Sequence, residues 1–450
     1  MLLSALMLGT AGCAGITAQA ENTTETPAPA ETATEPISAA STETVTVSSD
    51  EEYFTERDLE QTADLTDAVR YTVSDGNDIT IDAEGVYVLS GTAKNAAVIV
   101  DAADDAKVQL VLDGLNITNT DSPCIYVKNA DKVFVTLTGD STLAVSGAFT
   151  ADGETNTDAV IFSKDDLVLN GTGSLTVTSS DNGITSKDDL KITGGTYVIT
   201  ADNKALEAND SIRIADGTFT IKATDDGMHA ENDDDDSVGF IYIADGDFTI
   251  DSDDDAIHAT TTLVIDGGTF KITGHEGLEA TAVTLSGGDI TISASDDGIN
   301  AGKKSSAVEP AITITGGNLN ITMGSGDTDA IDSNGSITIT GGTIEITAQS
   351  PFDYDGKAEY TGGTIIVNGQ TVNSISNQMM GGFGRQGMTD GQMPAGGGMF
   401  GNGEMTEQGG MPAEGGQFYG RRGGMRSGGN ETFSQNPGMS GAVTGEEKAY

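Results

Sequence analysis

The chain has 450 residues, with 60 glycines, no tryptophan, only 5% aromatic residues and a formal net charge of −49. This charge excludes nucleic acid as a partner, because a phosphate backbone would be repelled, and favours cations or basic surfaces. An acidic, aromatic-poor chain is often disordered. The folded alternative is many short strands joined by glycine-rich turns.

The first 20 residues are typical of a bacterial export signal. The apolar run from Met1 to Leu8 is too short to span a membrane. The sequence TAGC that follows resembles a lipobox, in which Cys13 would carry the lipid, although threonine replaces the preferred leucine at its first position. Residues 18–20 (AQA) offer a rival cleavage site. Either reading predicts an extracellular or cell-surface protein, with a lipid on Cys13 as its only membrane contact.

Two segments lack the periodicity of a packed core. Residues 21–50 are rich in Thr, Glu and Pro, and we expect a disordered linker. Residues 378–450 are dominated by Gly, Met and Gln, and we expect a disordered tail. The folded domain is therefore predicted to span residues 51–377, with residues 51–70 capping its open end.

The folded domain repeats with a period of about 22 residues. Each unit begins with polar residues, a small residue and an apolar residue, as in DNGI at 181–184, and continues into two further short strands around a glycine corner. The small residue recurs at positions 159, 183, 205, 227, 256, 277, 298, 330 and 351. Three strands per coil of this length indicate an all-β, parallel β-helix. A positive φ would explain the corner glycines at 195, 217, 246, 268, 288, 317, 342 and 363.

Two units are longer than the others. They lie between the small residues at positions 227 and 256 and between those at positions 298 and 330. The inserted segments are 232–236 and 303–306, and both follow the first strand of their unit. We therefore expect two loops that protrude from one neighbourhood.

Stacked coils place equivalent side chains in columns about 4.8 Å apart. Strand alternation predicts one outward column consisting of Thr185, Glu207, His229, His258, Glu279, Asn300, Asp332 and Asp353. A second column, just before the small residue, consists of Asn182, Lys204, Asp226, Asp255, Glu276, Asp297 and Asp329. Four consecutive members of the second column, from Asp226 to Asp297, are carboxylates.

Stacked carboxylates repel each other by about 3.5 kcal/mol per adjacent pair at an effective dielectric constant near 20, and by about 0.9 kcal/mol in bulk water. A bound cation would compensate, and flexible oxygen ligands suit Ca²⁺. The predicted calcium ligands are Asp226, Asp255, Glu276, Asp297, Asp329, Glu207, Glu279 and Asp332. Two alternatives remain open: a solvated acidic edge, and a zinc site that includes His229 and His258.

Three early segments carry a family resemblance. They are GVYVLSGT at 85–92, VQLVLDGL at 108–115 and IYVKNADKV at 125–133. Together with the acid-acid-Gly-Ile openings of the later coils, they resemble the clostridial carbohydrate-binding β-helix family over residues 70 to 369. The resemblance implies a right-handed parallel β-helix that binds calcium and plant-wall polysaccharides, including cellulose and acidic pectin. It also implies a binding protein whose fold is similar to that of polysaccharide lyases.

Three functions follow as hypotheses. The first is a monomeric, non-catalytic polysaccharide-binding protein, in which calcium bridges to sugar carboxylates and Tyr126, Tyr197, Tyr354 or Tyr360 offers an aromatic platform. The second is a calcium-dependent pectate lyase, which needs a base next to the acidic column. Its candidate bases are Lys187, Lys204, Lys303 and Lys304. The third is a structural adhesin that binds no glycan. No motif for a catalytic residue is present, so binding is favoured over catalysis.

Overall fold

The computed structural model describes residues 53–377, apart from residues 233 and 327. The predicted signal segment with Cys13, the linker at 21–50 and the tail at 378–450 lie outside the described residues. Every regular element in the described part of the chain is a β-strand. Within the same part, no helix has the length and apolar character needed to cross a membrane.

The strands are short and follow one another closely along the chain. The first eighteen are β1 (Val69–Thr72), β2 (Ile79–Ile81), β3 (Gly85–Lys94), β4 (Val98–Asp101), β5 (Lys107–Asn119), β6 (Ile125–Asn129), β7 (Lys132–Leu137), β8 (Asp140–Val145), β9 (Ala159–Ser163), β10 (Asp166–Gly171), β11 (Ser174–Ser179), β12 (Asn182–Ser186), β13 (Asp189–Ile192), β14 (Thr196–Ala201), β15 (Leu206–Ala208), β16 (Ser211–Ile214), β17 (Thr218–Ala223) and β18 (Met228–Ala230). They are followed by β19 (Phe240–Ile243), β20 (Asp247–Ser252), β21 (Ile257–Ala259), β22 (Thr262–Ile265), β23 (Thr269–Gly274), β24 (Leu278–Ala280), β25 (Ala282–Leu285), β26 (Asp289–Ala294), β27 (Ile299–Ala301), β28 (Ala311–Ile314), β29 (Asn318–Met323), β30 (Ile331–Ser333), β31 (Ser336–Ile339), β32 (Thr343–Thr347), β33 (Asp353–Tyr354), β34 (Ala358–Tyr360), β35 (Thr364–Val367) and β36 (Gln370–Val372).

The strands form three ladders of parallel neighbours. The first ladder takes one strand from each coil in the order β2-β4-β6-β9-β12-β15-β18-β21-β24-β27-β30-β33. The second ladder runs from β1 through β3, β5 and β7 to β34, and the third runs from β5 through β8 and β11 to β35. Only β36 pairs antiparallel among these strands, with β35. The architecture is therefore all-β and solenoid-like.

The register of the first ladder follows the predicted repeat. Leu206 pairs with Met228, the equivalent residue of the next unit. Met228 pairs with Ile257 across the first insertion, and Ile299 pairs with Ile331 across the second. Both insertions are thus accommodated outside the ladder. Because side chains alternate along a strand, this register fixes which residues share a column.

One predicted position is wrong by a residue. The sequence pattern placed Ala159 in the small-residue position, but Ala159 pairs with Asn182, and Ile161 pairs with Ile184. Val160 therefore stands where most later coils have glycine or alanine. Ala159 instead packs in a small buried cluster with Tyr126 and Phe162, outside the main core.

The interior of the solenoid is one apolar cluster of stacked Val, Ile, Leu and aromatic side chains. At one corner, Tyr197, Phe219, Phe248 and Phe270 form a continuous ring stack with centroid separations of 5.1, 4.8 and 4.5 Å. Four of the eight predicted corner glycines, at 195, 217, 246 and 268, stand two residues before these rings. All eight have a positive φ, between 79° and 146°. The prediction about the corners is confirmed, because few side chains tolerate that backbone conformation.

The segment before β1 was expected to cap the open end of the solenoid. It lies along the flank instead, against β7, β13 and β19. We call residues 53–68 the N-terminal strap. Its Tyr53 ring stacks on Tyr242 of β19 at 3.8 Å. Its Asp58 carboxylate is fully buried, with Oδ2 3.2 Å from Lys191 Nζ of β13 and Oδ1 3.6 Å from Lys132 Nζ of β7. These contacts hold the strap across several coils of the second ladder.

Candidate functional site

The outward column of the first ladder has the predicted register. Consecutive strand pairs join Thr185, Glu207, His229, His258, Glu279, Asn300, Asp332 and Asp353 in that order. The shared column explains how residues that are far apart in the sequence come to lie side by side.

Three side chains of the second column, those of Asn182, Asp226 and Asp297, accept a hydrogen bond from a backbone amide of the next coil. Asn182 Oδ1 accepts the Lys204 amide at 3.1 Å. Asp226 Oδ1 accepts the Asp255 amide at 3.0 Å. These bonds fix the three side chains at the turn that leads into the first ladder.

The two columns meet in an open cleft of about 380 Å³, which we call the acidic cleft. Four of the predicted ligands lie there together: Asp226, Asp255, Glu276 and Glu279. The full lining is Lys204, Asp225, Asp226, His229, Asp254, Asp255, His258, His275, Glu276, Glu279 and Lys304. Carboxylates and imidazoles thus outnumber the two lysines.

The other predicted ligands lie outside this cleft. Glu207 Oε2 is occupied by hydrogen bonds from Asn182, Thr185 and the Lys187 ammonium, at 2.9 to 3.3 Å. Asp297 Oδ1 accepts the amide of Asp329 at 3.1 Å, one coil beyond the cleft. Asp332 lies in the outward column near Asp329 and Asp353. The predicted set is therefore spread along the solenoid rather than gathered around one point.

The two histidines are neighbours in the outward column, as predicted, with ring centroids 4.7 Å apart. His258 Nδ1 lies 3.1 Å from Asp255 Oδ2 and 3.1 Å from Glu279 Oε2. His229 Nδ1 lies 2.5 Å from Asp226 Oδ2, and its Nε2 lies 3.0 Å from Glu231 Oε2. Each imidazole is thus held between two carboxylates.

Proton affinities in and beside the cleft are strongly perturbed. Burial, together with repulsion from Glu279 and Asp255, raises the pKa of Glu276 to about 8. Burial and the neighbouring carboxylates Asp332, Asp296 and Asp329 raise the pKa of Asp297 to about 7. Both carboxyl groups bind protons near neutral pH, because too little positive charge lies nearby to offset the negative charge of the neighbouring carboxylates.

The pKa values of His258 and Glu279 shift in the complementary sense, whereas burial raises the pKa of Asp255 to about 6. Burial alone would lower the pKa of His258, but hydrogen bonds to Asp255 and Glu279 raise it to about 10. Burial would raise the pKa of Glu279, but hydrogen bonds with His258, Asp255 and Lys304 hold it below its usual range. His258 therefore carries a positive charge at the centre of the carboxylate cluster.

Sequence reasoning missed a third row of ligand atoms. Asp225, Asp254, His275 and Asp296 each directly precede a member of the second column in the sequence, and all four form small groups with its carboxylates. Oxygen atoms of Asp225, Asp226 and Asp254 lie within 4.8 Å of one another. The repeated acid pairs at 225–226, 254–255 and 296–297 are the sequence signal for this row.

The two inserted loops meet beside the cleft, as predicted. Ser305 Oγ donates to the Asp236 carbonyl, and the Ser306 amide donates to Asp236 Oδ2 at 2.9 Å. The second loop brings Lys304 Nζ to 2.7 Å from Glu279 Oε1. The loops therefore form one wall and supply a cation to the acidic cleft.

The candidate aromatic platforms are largely covered. Tyr197 belongs to the core stack and is fully buried, and Tyr126 is 7% exposed, with its hydroxyl 3.2 Å from Asp152 Oδ2. Tyr354 and Tyr360 are half-buried near the last coils. None of the four is therefore an exposed aromatic residue.

Comparison with known proteins identifies relatives. A curated carbohydrate-binding domain-containing protein of Acetivibrio thermocellus is 38% identical over 127 residues, which are 27% of this chain and 44% of that protein. The match thus spans less than half of the curated relative. A solved structure of a polysaccharide lyase-like protein from C. thermocellum, a gadolinium derivative, is 23% identical, with 69% of this chain and 97% of that chain covered and a TM-score of 0.38.

The family comparison covers most of the solenoid. The family of carbohydrate-binding domain-containing proteins matches residues 75–327 and 276–379. These ranges include all three ladders from β3 onward and every residue of the acidic cleft. This chain therefore belongs to the carbohydrate-binding domain-containing protein family.

Proposed function

We propose that this chain is a non-catalytic, calcium-dependent polysaccharide-binding protein whose ligand is an acidic plant-wall glycan such as pectin, with cellulose as the neutral candidate. The three ladders would close into a right-handed parallel β-helix with the acidic cleft on its outer edge. The observation that carries this proposal is the convergence of buried carboxylates in an open cleft, on a chain of the carbohydrate-binding domain family.

The donor set of the cleft suits calcium. Asp225, Asp226 and Asp254 offer oxygen atoms within 4.8 Å of one another, and Glu276 continues the carboxylate row inside the cleft. Calcium takes six to eight oxygen ligands in a flexible geometry. Bound there, it would relieve the repulsion between the carboxylates and leave positions for the carboxylates of a uronate chain. This would let a protein of net charge −49 hold an acidic glycan.

Binding is a better fit than elimination. A lyase needs a neutral amine or a similar base to remove the proton beside the sugar carboxylate. Lys304 is the lysine nearest the carboxylates of the cleft. Burial would lower its pKa, but its hydrogen bond to Glu279 and the charges of Glu279 and Glu276 raise it. Lys204 is likewise held by Asp225 at 3.1 Å. Both amines are thus kept protonated, so neither is suited to act as the base of an elimination. Their ion pairs indicate a structural role.

A pull-down on insoluble polygalacturonate tests the proposal. We expect binding in calcium and its loss in a chelator. The double variant Asp225→Asn/Asp254→Asn should bind at least about tenfold more weakly, because it removes two ligand charges. The matched control is Asp251→Asn, which alters an exposed aspartate of the third ladder and should leave binding unchanged.

Three other outcomes would contradict this proposal. Binding that persists in the chelator would show that calcium does not bridge to the glycan. Absence of glycan binding under every metal condition would favour the adhesin hypothesis. Appearance of unsaturated sugar product with calcium and polygalacturonate would identify a lyase.

Calcium should also change how stability depends on pH. In the metal-free protein the pKa of Glu276 is about 8, against an ordinary value of 4.5, so the folded state binds this proton more tightly than the unfolded state. Stability should therefore fall as the pH rises from about 5 to about 8. Calcium should flatten this slope, because it replaces the proton. Thermal unfolding across this range with chelator or calcium measures both slopes, and Glu276→Gln should reduce the slope seen in chelator.

We further propose that the protein is exported and acts as a monomer at the bacterial cell surface. Lipidation at Cys13 would anchor it, the linker at 21–50 would hold the solenoid away from the membrane, and residues 378–450 would form a separate tail. The export-type segment and lipobox-like sequence support this proposal, and calcium is available outside the cell.

A further inference from the structure

One part of the acidic cleft contains nitrogen as well as oxygen donors. His258 Nδ1 lies 3.1 Å from Asp255 Oδ2 and 3.1 Å from Glu279 Oε2. The three residues come from β21, from the turn that precedes β21 and from β24. Their side chains are largely buried, with exposed fractions of 12%, 10% and 4% in that order. This grouping differs from the oxygen-only group of Asp225, Asp226 and Asp254.

We infer that Asp255, His258 and Glu279 form a transition-metal site for a zinc-like divalent cation, separate from the calcium position of the proposed function. Zinc prefers imidazole and carboxylate ligands in tetrahedral geometry, whereas calcium takes oxygen ligands. Tetrahedral bonds of about 2.0–2.1 Å place neighbouring ligand atoms about 3.3 Å apart. In the metal-free chain the two 3.1 Å separations around His258 Nδ1 are hydrogen-bond distances, and they are close to that value. A bound ion would take the place of the imidazole proton that the two carboxylates accept.

The carboxylate ligands are already held in position by their neighbours. The second oxygen of Glu279, Oε1, receives Lys304 Nζ at 2.7 Å and Asn300 Nδ2 at 3.2 Å, which leaves Oε2 to face His258. The Asp255 amide is bound by Asp226 Oδ1 at 3.0 Å. Such outer hydrogen bonds orient the ligands of protein metal sites and tune their affinity.

His229 belongs to this outer support. Its Nδ1 meets Asp226 Oδ2, and its Nε2 meets Glu231 Oε2 at 3.0 Å. The ring therefore fixes the carboxylate that in turn holds the Asp255 backbone. Three protein ligands leave the fourth position of a tetrahedral ion open to water or to an oxygen atom of a bound ligand. The inference does not depend on the protein binding a glycan.

Titration of the metal-free full chain with Co²⁺ and Zn²⁺ tests the inference. Both titrations are carried out in excess calcium. Bound Co²⁺ should show the intense visible absorption of a four-coordinate ion, and added Zn²⁺ should displace the Co²⁺ and remove that absorption. His258→Gln should abolish the absorption and weaken Zn²⁺ binding by more than about 100-fold, above the 10–100-fold cost of losing an outer partner. His229→Gln should weaken it by about 10–100-fold.

The matched control is Asp251→Asn, which alters an exposed aspartate of the third ladder and should keep the Co²⁺ spectrum and the Zn²⁺ affinity. Far-UV circular dichroism of His258→Gln should match that of the wild type, which shows that the variant is folded. Weak absorption typical of six-coordinate Co²⁺, or equal Zn²⁺ affinity in His258→Gln and Asp251→Asn, would overturn the site. His258 would then serve only as an imidazolium that neutralises its carboxylates.

Discussion

Replacing Phe248 by alanine should destabilise the central coils by about 3–5 kcal/mol, the usual cost of removing a buried aromatic side chain. Phe248 is 3% exposed, and its ring stacks on Phe219 at 4.8 Å and on Phe270 at 4.5 Å. The substitution leaves a cavity and removes both stacking contacts, each worth about 0.5–1.5 kcal/mol. Because coils of a solenoid contact only their neighbours, the loss should be local.

Hydrogen exchange measures this local loss. Amides of β17, β20 and β23 should exchange faster in Phe248→Ala, whereas those of β3 and β5 at the other end should change little. The control is Val198→Ala, which alters a side chain that is 42% exposed and lies two coils from Phe248, and it should change stability by less than about 0.5 kcal/mol. Uniform acceleration over all strands would show that the solenoid unfolds as a single cooperative unit.

Replacing Asp58 by alanine should detach the N-terminal strap, at a cost of about 3–5 kcal/mol, because the buried Lys191 ammonium loses its ion pair while Lys132 keeps the one with Asp166. The Asp58 carboxylate is fully buried between Lys191 and Lys132, whose side chains are only 7% and 13% exposed. Limited proteolysis should cut the strap of this variant while the ladders stay intact. Asp67→Ala, in an exposed part of the same strap, should behave as the wild type.

The same contact has a defined pH dependence. Burial alone would raise the pKa of Asp58, but the Thr55 amide and the two lysines lower it overall. Its stabilising effect is therefore complete above the ordinary aspartate pKa of 3.8 and is lost as the pH falls through the lower folded-state value. Proteolysis of the wild-type strap should begin only at that acidic pH. Early cleavage at neutral pH would mean that the ion pairs do not hold it.

The columns could be predicted because parallel pairing converts a sequence period into a spatial one. Once the spacing places His229 and His258 one coil apart, strand alternation requires them to be neighbours. The glycine corners followed from the same logic, since a repeated glycine signals a repeated backbone conformation. Local and global signals agree along this part of the chain.

Other features could not be predicted from the period. Turn residues do not obey strand alternation, so both acids of the pair Asp225 and Asp226 face one cleft although the pattern assigned only the second. Ala159 follows a long connection from β8, so its position in the repeat could not be counted from the preceding strand. It is small because it packs against Tyr126 and Phe162, and it does not occupy the small-residue position of the repeat. The strap depends on Asp58 meeting Lys132 and Lys191, far apart in sequence, and no local pattern encodes that contact.

The side-on course of the strap determines how the molecule would respond to a pulling force. Tension arriving through the chain at Tyr53 first loads its stack on Tyr242, and then the Asp58 ion pairs and the Gln61 hydrogen bond to Thr193. Only after these contacts break one by one does the load reach β1 and the ladders. Each contact is weak compared with a parallel ladder sheared along its strands. Release of the strap would thus lengthen the extended chain before β1 by about 15 residues, or roughly 50 Å, while the acidic cleft stays intact.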